Sequence, residues 1–109
     1  INNSKQSVFP LDQRIAAIER VFGSEPRIRV VSYDCLTVDF ARQYHATHIL
    51  RGVRSVLDFE YERSIADANK ELSGIETVLL YTRPEYAHIS SSLVRDLYAH
   101  HHDVSSYLP

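Results

Sequence analysis

Arg51-Gly52-Val53-Arg54-Ser55-Val56-Leu57-Asp58-Phe59-Glu60-Tyr61-Glu62 decides how this chain folds and where it works. The apolar run His48-Ile49-Leu50 before it reads as the end of a buried strand, and a helical pattern follows it. Two arginines and a glycine therefore stand where a strand hands over to a helix. Open α/β sheets bind ligands there, outside the carboxyl ends of their strands. Arginine presents a flat fork of donors suited to phosphate oxygens. Gly52 lets a ligand approach the backbone. The competing reading is a surface ion-pair cluster with Asp58, Glu60 and Glu62, of little energetic worth.

A second element favours the ligand reading. Ile89-Ser90-Ser91-Ser92-Leu93-Val94-Arg95 follows the apolar run Val78-Leu79-Leu80-Tyr81 and a loop containing Pro84. Three serines opening a helix offer hydroxyls and unpaired backbone N–H groups together, which suits an anion. Ordinary capping would need only one of them.

Working outward, Asn2 to Val8 reads as a loop holding Lys5. Pro10 opens a helix, with Leu11, Ile15, Ile18 and Phe22 at helical spacing and Gly23 as its stop. Ile28, Val30 and Val31 make a short strand. Leu36, Phe40 and Tyr44 share one face of a second helix, and Thr47 to Leu50 is the next strand. Phe59, Ile65, Ala66, Ala68, Asn69 and Leu72 lie in a longer helix that ends near Ser73-Gly74. A strand over 75–81 and a helix over 89–98 complete the pattern. Alternating strands and helices predict an α/β fold, a mostly parallel sheet with helices on both faces. Right-handed crossovers place the loops at Lys5, Tyr33–Thr37, Arg51–Arg54 and Thr82–His88 along one crevice.

Composition narrows the function. The 109 residues suit one modest domain, with 44% apolar and 24% charged residues. A net charge of −2 implies no broad basic face for nucleic acid. The single cysteine, Cys35, excludes an internal disulfide and is expected to be a small packed residue. No apolar stretch approaches the roughly 20 residues of a membrane-spanning helix, and no partner membrane is expected. Adjacent His100, His101 and His102 cannot easily converge on one ion, so they read as a solvated helix end rather than a metal site. No metal site is expected from Cys/His spacing. Both ends look cut: Ile1-Asn2-Asn3 resembles the exit of a strand, and the chain is expected to be an internal portion of a larger domain.

These residues together resemble bacterial phosphopantetheine adenylyltransferase. The resemblance runs over essentially the whole chain. It rests on Asn3-Ser4-Lys5 with Phe9, Leu36-Thr37-Val38-Asp39-Phe40-Ala41, Ile49-Leu50-Arg51-Gly52-Val53-Arg54, Asp58-Phe59-Glu60-Tyr61-Glu62 and Asn69. Glu85-Tyr86-Ala87-His88-Ile89-Ser90-Ser91-Ser92-Leu93-Val94 and Asp103-Val104-Ser105 extend it. It implies a Rossmann-like sheet of nucleotidyltransferase type in a single domain over 1–109. The chain would be incomplete at both ends, without the first βα unit, its [TH]-x-G-H motif and the last helix. The implied reaction moves the adenylyl group of ATP to 4′-phosphopantetheine, giving dephospho-coenzyme A and pyrophosphate with Mg2+. Lys5, Thr37 and Arg51 would face phosphopantetheine. Gly52, Val53, Arg54 and Glu62, with Tyr86, Ala87, His88, Ile89, Ser90, Ser91 and Ser92, would hold ATP. Lys5, Arg54 and Ser91 would stabilise the reacting phosphate. Coenzyme A or dephospho-coenzyme A as product or inhibitor, a cytoplasmic location and a homo-hexamer are further implications. Gln6, Thr37 and Tyr86 stand where the family commonly has a second lysine, a larger apolar residue and tryptophan. Two other readings are a related nucleotidyltransferase with another phosphate acceptor, and a non-catalytic nucleotide or coenzyme A binding module.

Overall fold

The computed structural model describes residues 8–109. It divides into two units, one of residues 35–88 and one of residues 8–34 with 89–109.

The 35–88 unit is a β–α–β element with one added helix. Strand β1 (His48–Val53) and strand β2 (Glu76–Tyr81) pair in parallel, with Ile49 opposite Thr77 and Val53 opposite Tyr81. The ladder closes with Thr82 N–H donating to the Val53 carbonyl at 2.9 Å. Parallel neighbours need a crossover, and a helix over Val56–Ser73 supplies it. A shorter helix, Thr37–Gln43, precedes β1 and packs on that crossover helix. The two are named α2 and α3, after a first helix in the other unit, α1 (Leu11–Phe22). Buried apolar residues here are Val38 and Ala41 on α2, Val53 on β1 and Ile75 before β2, Val53 the most completely.

Local chemistry sets the ends of α3. Ser55 is its N-cap, the hydroxyl accepting from Asp58 N–H at 3.1 Å. Asp58 reaches back and accepts from the backbone N–H of Arg54, also at 3.1 Å. At the far end Gly74 takes φ +75°, a backbone region costly for any residue with a Cβ. The α2 helix ends differently. His45 holds φ +53° and donates its N–H to Arg42, while Ala46 N–H bonds the Ala41 carbonyl. This is the Schellman closure, with histidine in the place that glycine usually takes.

The other unit holds α1 and α4 (Ser91–Ala99). Pro10 is the N-cap of α1, one residue ahead of its expected first-turn place. Only Ile15 of the expected apolar stripe is half-buried; Leu11, Ile18 and Phe22 are exposed. The α4 helix repeats the closure of α2: His101 sits at φ +63° with its N–H on Tyr98, and His102 N–H bonds Leu97. The triple-histidine segment is thus a helix end, and all three are exposed.

Four expectations need correction. The segment at Ile28, Val30 and Val31 is irregular, and Ile28 and Val31 are exposed. A strand exists only with a partner, and the described residues pair only β1 with β2. The loop Tyr33–Thr37 therefore follows no described strand. The strand expected to stop at Leu50 runs on to Val53, so Arg51 and Gly52 belong to β1 rather than to a loop. Cys35 is exposed, in the irregular stretch before α2, not packed. Among the described residues, no helix is long and apolar enough to cross a membrane.

Candidate functional site

Side chains alternate faces along a strand, so Ile49, Arg51 and Val53 share one face of β1. Thr77 lies on β2 opposite Ile49. Glu62, Ala66 and Asn69 recur at helical spacing on α3. With Thr37 at the start of α2, these strand and helix faces enclose a hollow of about 120 Å³. Ile49, Ile65 and Ala66 line it with hydrocarbon; Thr37, Asn69, Thr77, Arg51 and Glu62 supply polar groups.

The strongest interaction in the hollow joins Arg51 to Glu62. The guanidinium donates from Nε to Oε2 at 3.0 Å and from Nη2 to Oε1 at 2.8 Å. This two-point geometry fixes the plane of the arginine fork as well as its position. Burial is lopsided: the Glu62 side chain is 10% exposed and that of Arg51 54%. Among the described residues Glu62 is the only buried charged side chain. The hydroxyl of Thr77 is buried without a hydrogen-bond partner, and such a group costs free energy until a ligand or water satisfies it.

Arg54 follows the end of β1. Its Nε donates to Asp58 Oδ2 at 3.1 Å, the same oxygen that accepts the Arg54 backbone N–H. These two hydrogen bonds, the backbone one foremost, hold the Asp58 carboxyl below its ordinary range. A Cβ on Gly52 would meet no atom within 4 Å, so open space lies beside the strand there.

The serine run belongs to the other unit. Ser90 is the N-cap of α4, its hydroxyl accepting from Leu93 N–H at 3.1 Å. Ser90 thus does the ordinary capping, and Ser91 and Ser92 occupy the first turn. Ser92 Oγ accepts from Arg95 Nη2 at 3.3 Å. Ser90 and Ser91 line a hollow of about 390 Å³ whose wall also holds Arg14 and Arg95. In the 35–88 unit, Tyr86, Ala87 and His88, which precede the serines in sequence, are exposed. Tyr86 closes a single 3₁₀ turn, Pro84–Tyr86.

The structure gathers Thr37, Arg51 and Glu62 around one hollow. It shows Arg54 clasped to the start of α3, and Ser90 and Ser91 beside two arginines. Lys5 lies outside the described residues. Reading the sequence alone missed Thr77; pairing of the arginines with Asp58 and Glu62 was its competing ion-pair reading, but the burial of Glu62 and the two-point geometry with Arg51 were missed. A polar residue inside Glu76-Thr77-Val78-Leu79 was the available signal for the first. The second needed the crossover geometry, because eleven residues separate the partners. No cluster of three His, Cys, Asp or Glu among the described residues could hold a metal ion.

A parallel strand pair joined by a helix, with arginines at the end of its first strand, marks an α/β protein of the kind that binds ligands beyond its strand ends. In agreement, the family model for cytidylyltransferase-like proteins matches residues 1–97. The chain is 51% identical to a phosphopantetheine adenylyltransferase of Bacteroides fragilis over 109 residues, covering all of this chain and 73% of that protein. Phosphopantetheine adenylyltransferases of Bacteroides thetaiotaomicron and Phocaeicola vulgatus are 50% and 51% identical, with 72% of each covered. The chain belongs to the phosphopantetheine adenylyltransferases within the cytidylyltransferase-like family.

Proposed function

We propose that the protein transfers the adenylyl group of ATP to 4′-phosphopantetheine, releasing pyrophosphate and forming dephospho-coenzyme A. The observation that carries this reading is the match, over the whole of this chain and 73% and 72% of theirs, to two phosphopantetheine adenylyltransferases at 51% and 50% identity. The hollow holding both Thr37 and Arg51 supports it, since both are proposed to face phosphopantetheine.

The chemistry asks little covalent work of the protein. A phosphate oxygen of phosphopantetheine attacks the α-phosphorus of ATP, and pyrophosphate leaves. That oxygen is already ionised, so no general base is needed. Positioning and stabilisation of spreading negative charge would supply the rate. Lys5, Arg54 and Ser91 are the proposed stabilisers. Gly52, Val53, Arg54, Glu62 and the run Tyr86–Ser92 are the proposed ATP contacts. Among the described residues no group of three or more His, Cys, Asp or Glu could hold a metal ion, and magnesium commonly needs only one or two protein carboxylates beside nucleotide phosphates. Magnesium therefore belongs to this proposal as a companion of the ATP phosphates, which commonly carry it, and no step is derived through it. A single nucleotidyltransferase domain, a homo-hexamer, a cytoplasmic location and binding of coenzyme A as product or inhibitor are parts of the same proposal.

The test is pyrophosphate release by the full-length protein with ATP and 4′-phosphopantetheine. Release that depends on both substrates is expected. Release with nicotinamide mononucleotide or a sugar phosphate, and none with phosphopantetheine, would overturn the reading.

A further inference from the structure

We infer that the Thr77 hydroxyl turns into the hollow to hold an amide of the acceptor's arm, and so takes part in choosing the acceptor. The inference rests on the adenylyl-transfer reading and deepens it, adding a residue that the resemblance does not assign. Its ground is one unmet hydrogen bond. Thr77 Oγ1 is buried with no partner, the only side-chain nitrogen or oxygen in that state among the described residues. Thr77 lines the hollow of the 35–88 unit together with Thr37, Arg51 and Asn69.

Threonine is a destabilising choice at this position. Valine has nearly the same shape, suits a strand equally well and would leave no orphaned hydroxyl. A buried polar group without a partner calls for an explanation, and stability given up at a site commonly goes with function. The place narrows the ligand. Thr77 lies opposite Ile49, whereas the proposed nucleotide contacts on β1 begin at Gly52, about 10 Å further along the strand. Ile49, Ile65 and Ala66 surround the hollow with hydrocarbon, which favours an uncharged group over a phosphate. At about 120 Å³ the hollow is smaller than the roughly 300 Å³ of sites that enclose a drug-sized ligand. It therefore takes one arm of a ligand and not the whole. 4′-Phosphopantetheine has such an arm, uncharged and carrying amides. An amide offers an N–H and a carbonyl, and a hydroxyl both donates and accepts. The hydroxyl is shut from bulk water, so rotation about χ1 is the motion that carries it round Cβ to the ligand.

The experiment compares full-length Thr77→Val and Thr77→Ser with wild type, by steady-state kinetics with each substrate varied in turn and by thermal unfolding without ligand. In Thr77→Val the KM for phosphopantetheine should rise about fivefold or more, the size of one neutral hydrogen bond left unmade. The KM for ATP should stay within about twofold, and Tm should not fall, because the orphaned hydroxyl is gone. Thr77→Ser keeps the hydroxyl and should hold the KM for phosphopantetheine near that of wild type. Should Thr77→Val unfold below the assay temperature, Thr77→Ala against Thr77→Ser carries the same test, since those two differ only in the hydroxyl. An unchanged KM for phosphopantetheine in the variants that lack the hydroxyl would overturn the inference, whatever the melt shows. So would an equal rise for both substrates, or a rise in Thr77→Ser as large as in Thr77→Val. Each of those outcomes leaves the adenylyl-transfer reading intact. A wild-type protein that releases no pyrophosphate with ATP and phosphopantetheine overturns that reading, and this inference with it.

Discussion

The two units of the molecule hold their candidate anion-binding groups by different means. In residues 35–88 several cationic side chains are held by carboxylates, among them Arg51 by Glu62, Arg54 by Asp58 and Lys70 by Glu76. In residues 89–109 the feature is backbone, the start of α4 behind its Ser90 cap, with arginine side chains around it. A carboxylate that clasps a cation fixes direction, whereas a helix start presents fixed N–H groups without costing an ion pair. The first device is sharply oriented and depends on its anionic partner. The second is softer and depends on the cap.

The largest expected effect breaks this comparison on the side-chain face. Arg51→Ala should weaken phosphopantetheine binding by roughly 1.5–3 kcal/mol, the worth of a charge-assisted contact. ATP binding should change far less. Calorimetry with each ligand separately decides it, and equal weakening of both would remove Arg51 from the acceptor side.

Much of this arrangement was legible from residues alone, and the losses have specific causes. The far end of α3 was readable, because Gly74 acts locally; its start was not, since the helical pattern was expected to follow the stretch ending at Glu62, whereas Ser55 caps the helix and it begins at Val56. The end of β1 was misread by three residues. Arg51 and Gly52 look like loop residues by type, yet strand membership is set by the partner β2, which closes its ladder at Tyr81. The segment at Ile28–Val31 failed for the converse reason, apolar residues without a described partner. His45 gave no signal at all. Its role is a backbone angle, which histidine adopts more readily than most residues with a Cβ but far too rarely for the side chain alone to announce it.

Next in size comes the backbone face. Ser90→Ala should destabilise α4 by about 1 kcal/mol, the usual cost of an N-cap. Ser91→Ala should leave the melt nearly unchanged, yet weaken ATP binding if Ser91 touches the nucleotide. Thermal unfolding paired with nucleotide titration of both variants separates cap from contact. If Ser91→Ala lowers the melt as much as Ser90→Ala, the assignment of the cap is wrong.

A smaller effect tests what the units share. The ends of α2 and α4 use the same closure, with His45 and His101 in left-handed backbone. A residue with a Cβ pays there, and glycine does not. His45→Gly and His101→Gly should therefore each stabilise by up to about 1 kcal/mol, read as a rise in Tm. Turnover should not change with His101→Gly. A fall in Tm for either would mean that the imidazole contributes more than the backbone angle costs.

The smallest effect is electrostatic, and it arises twice. Asp58 accepts from the backbone and side chain of Arg54, and Asp103 accepts from Ser105 N–H at 2.9 Å ahead of the turn Ser105–Tyr107. In each case a backbone hydrogen bond is the foremost reason that the carboxyl titrates below its ordinary range. A depressed folded-state value means that the ionised form is favoured by folding. The contribution is complete above the unfolded value, about 4, and fades as pH falls through the lower folded one. Both groups are at the surface, where solvent screens them, so local loosening is expected rather than global unfolding. The carboxyl resonances of the two aspartates and amide exchange at Arg54 and Ser105 can follow this directly. Below the ordinary carboxylate range, exchange at both amides should quicken together. Asp58→Asn, which still accepts a hydrogen bond but cannot ionise, should remove the pH dependence at Arg54 and leave that at Ser105 untouched. Quickening at Arg54 that persists in Asp58→Asn would show that another group opens the start of α3, and the likeness between these two turns would fail.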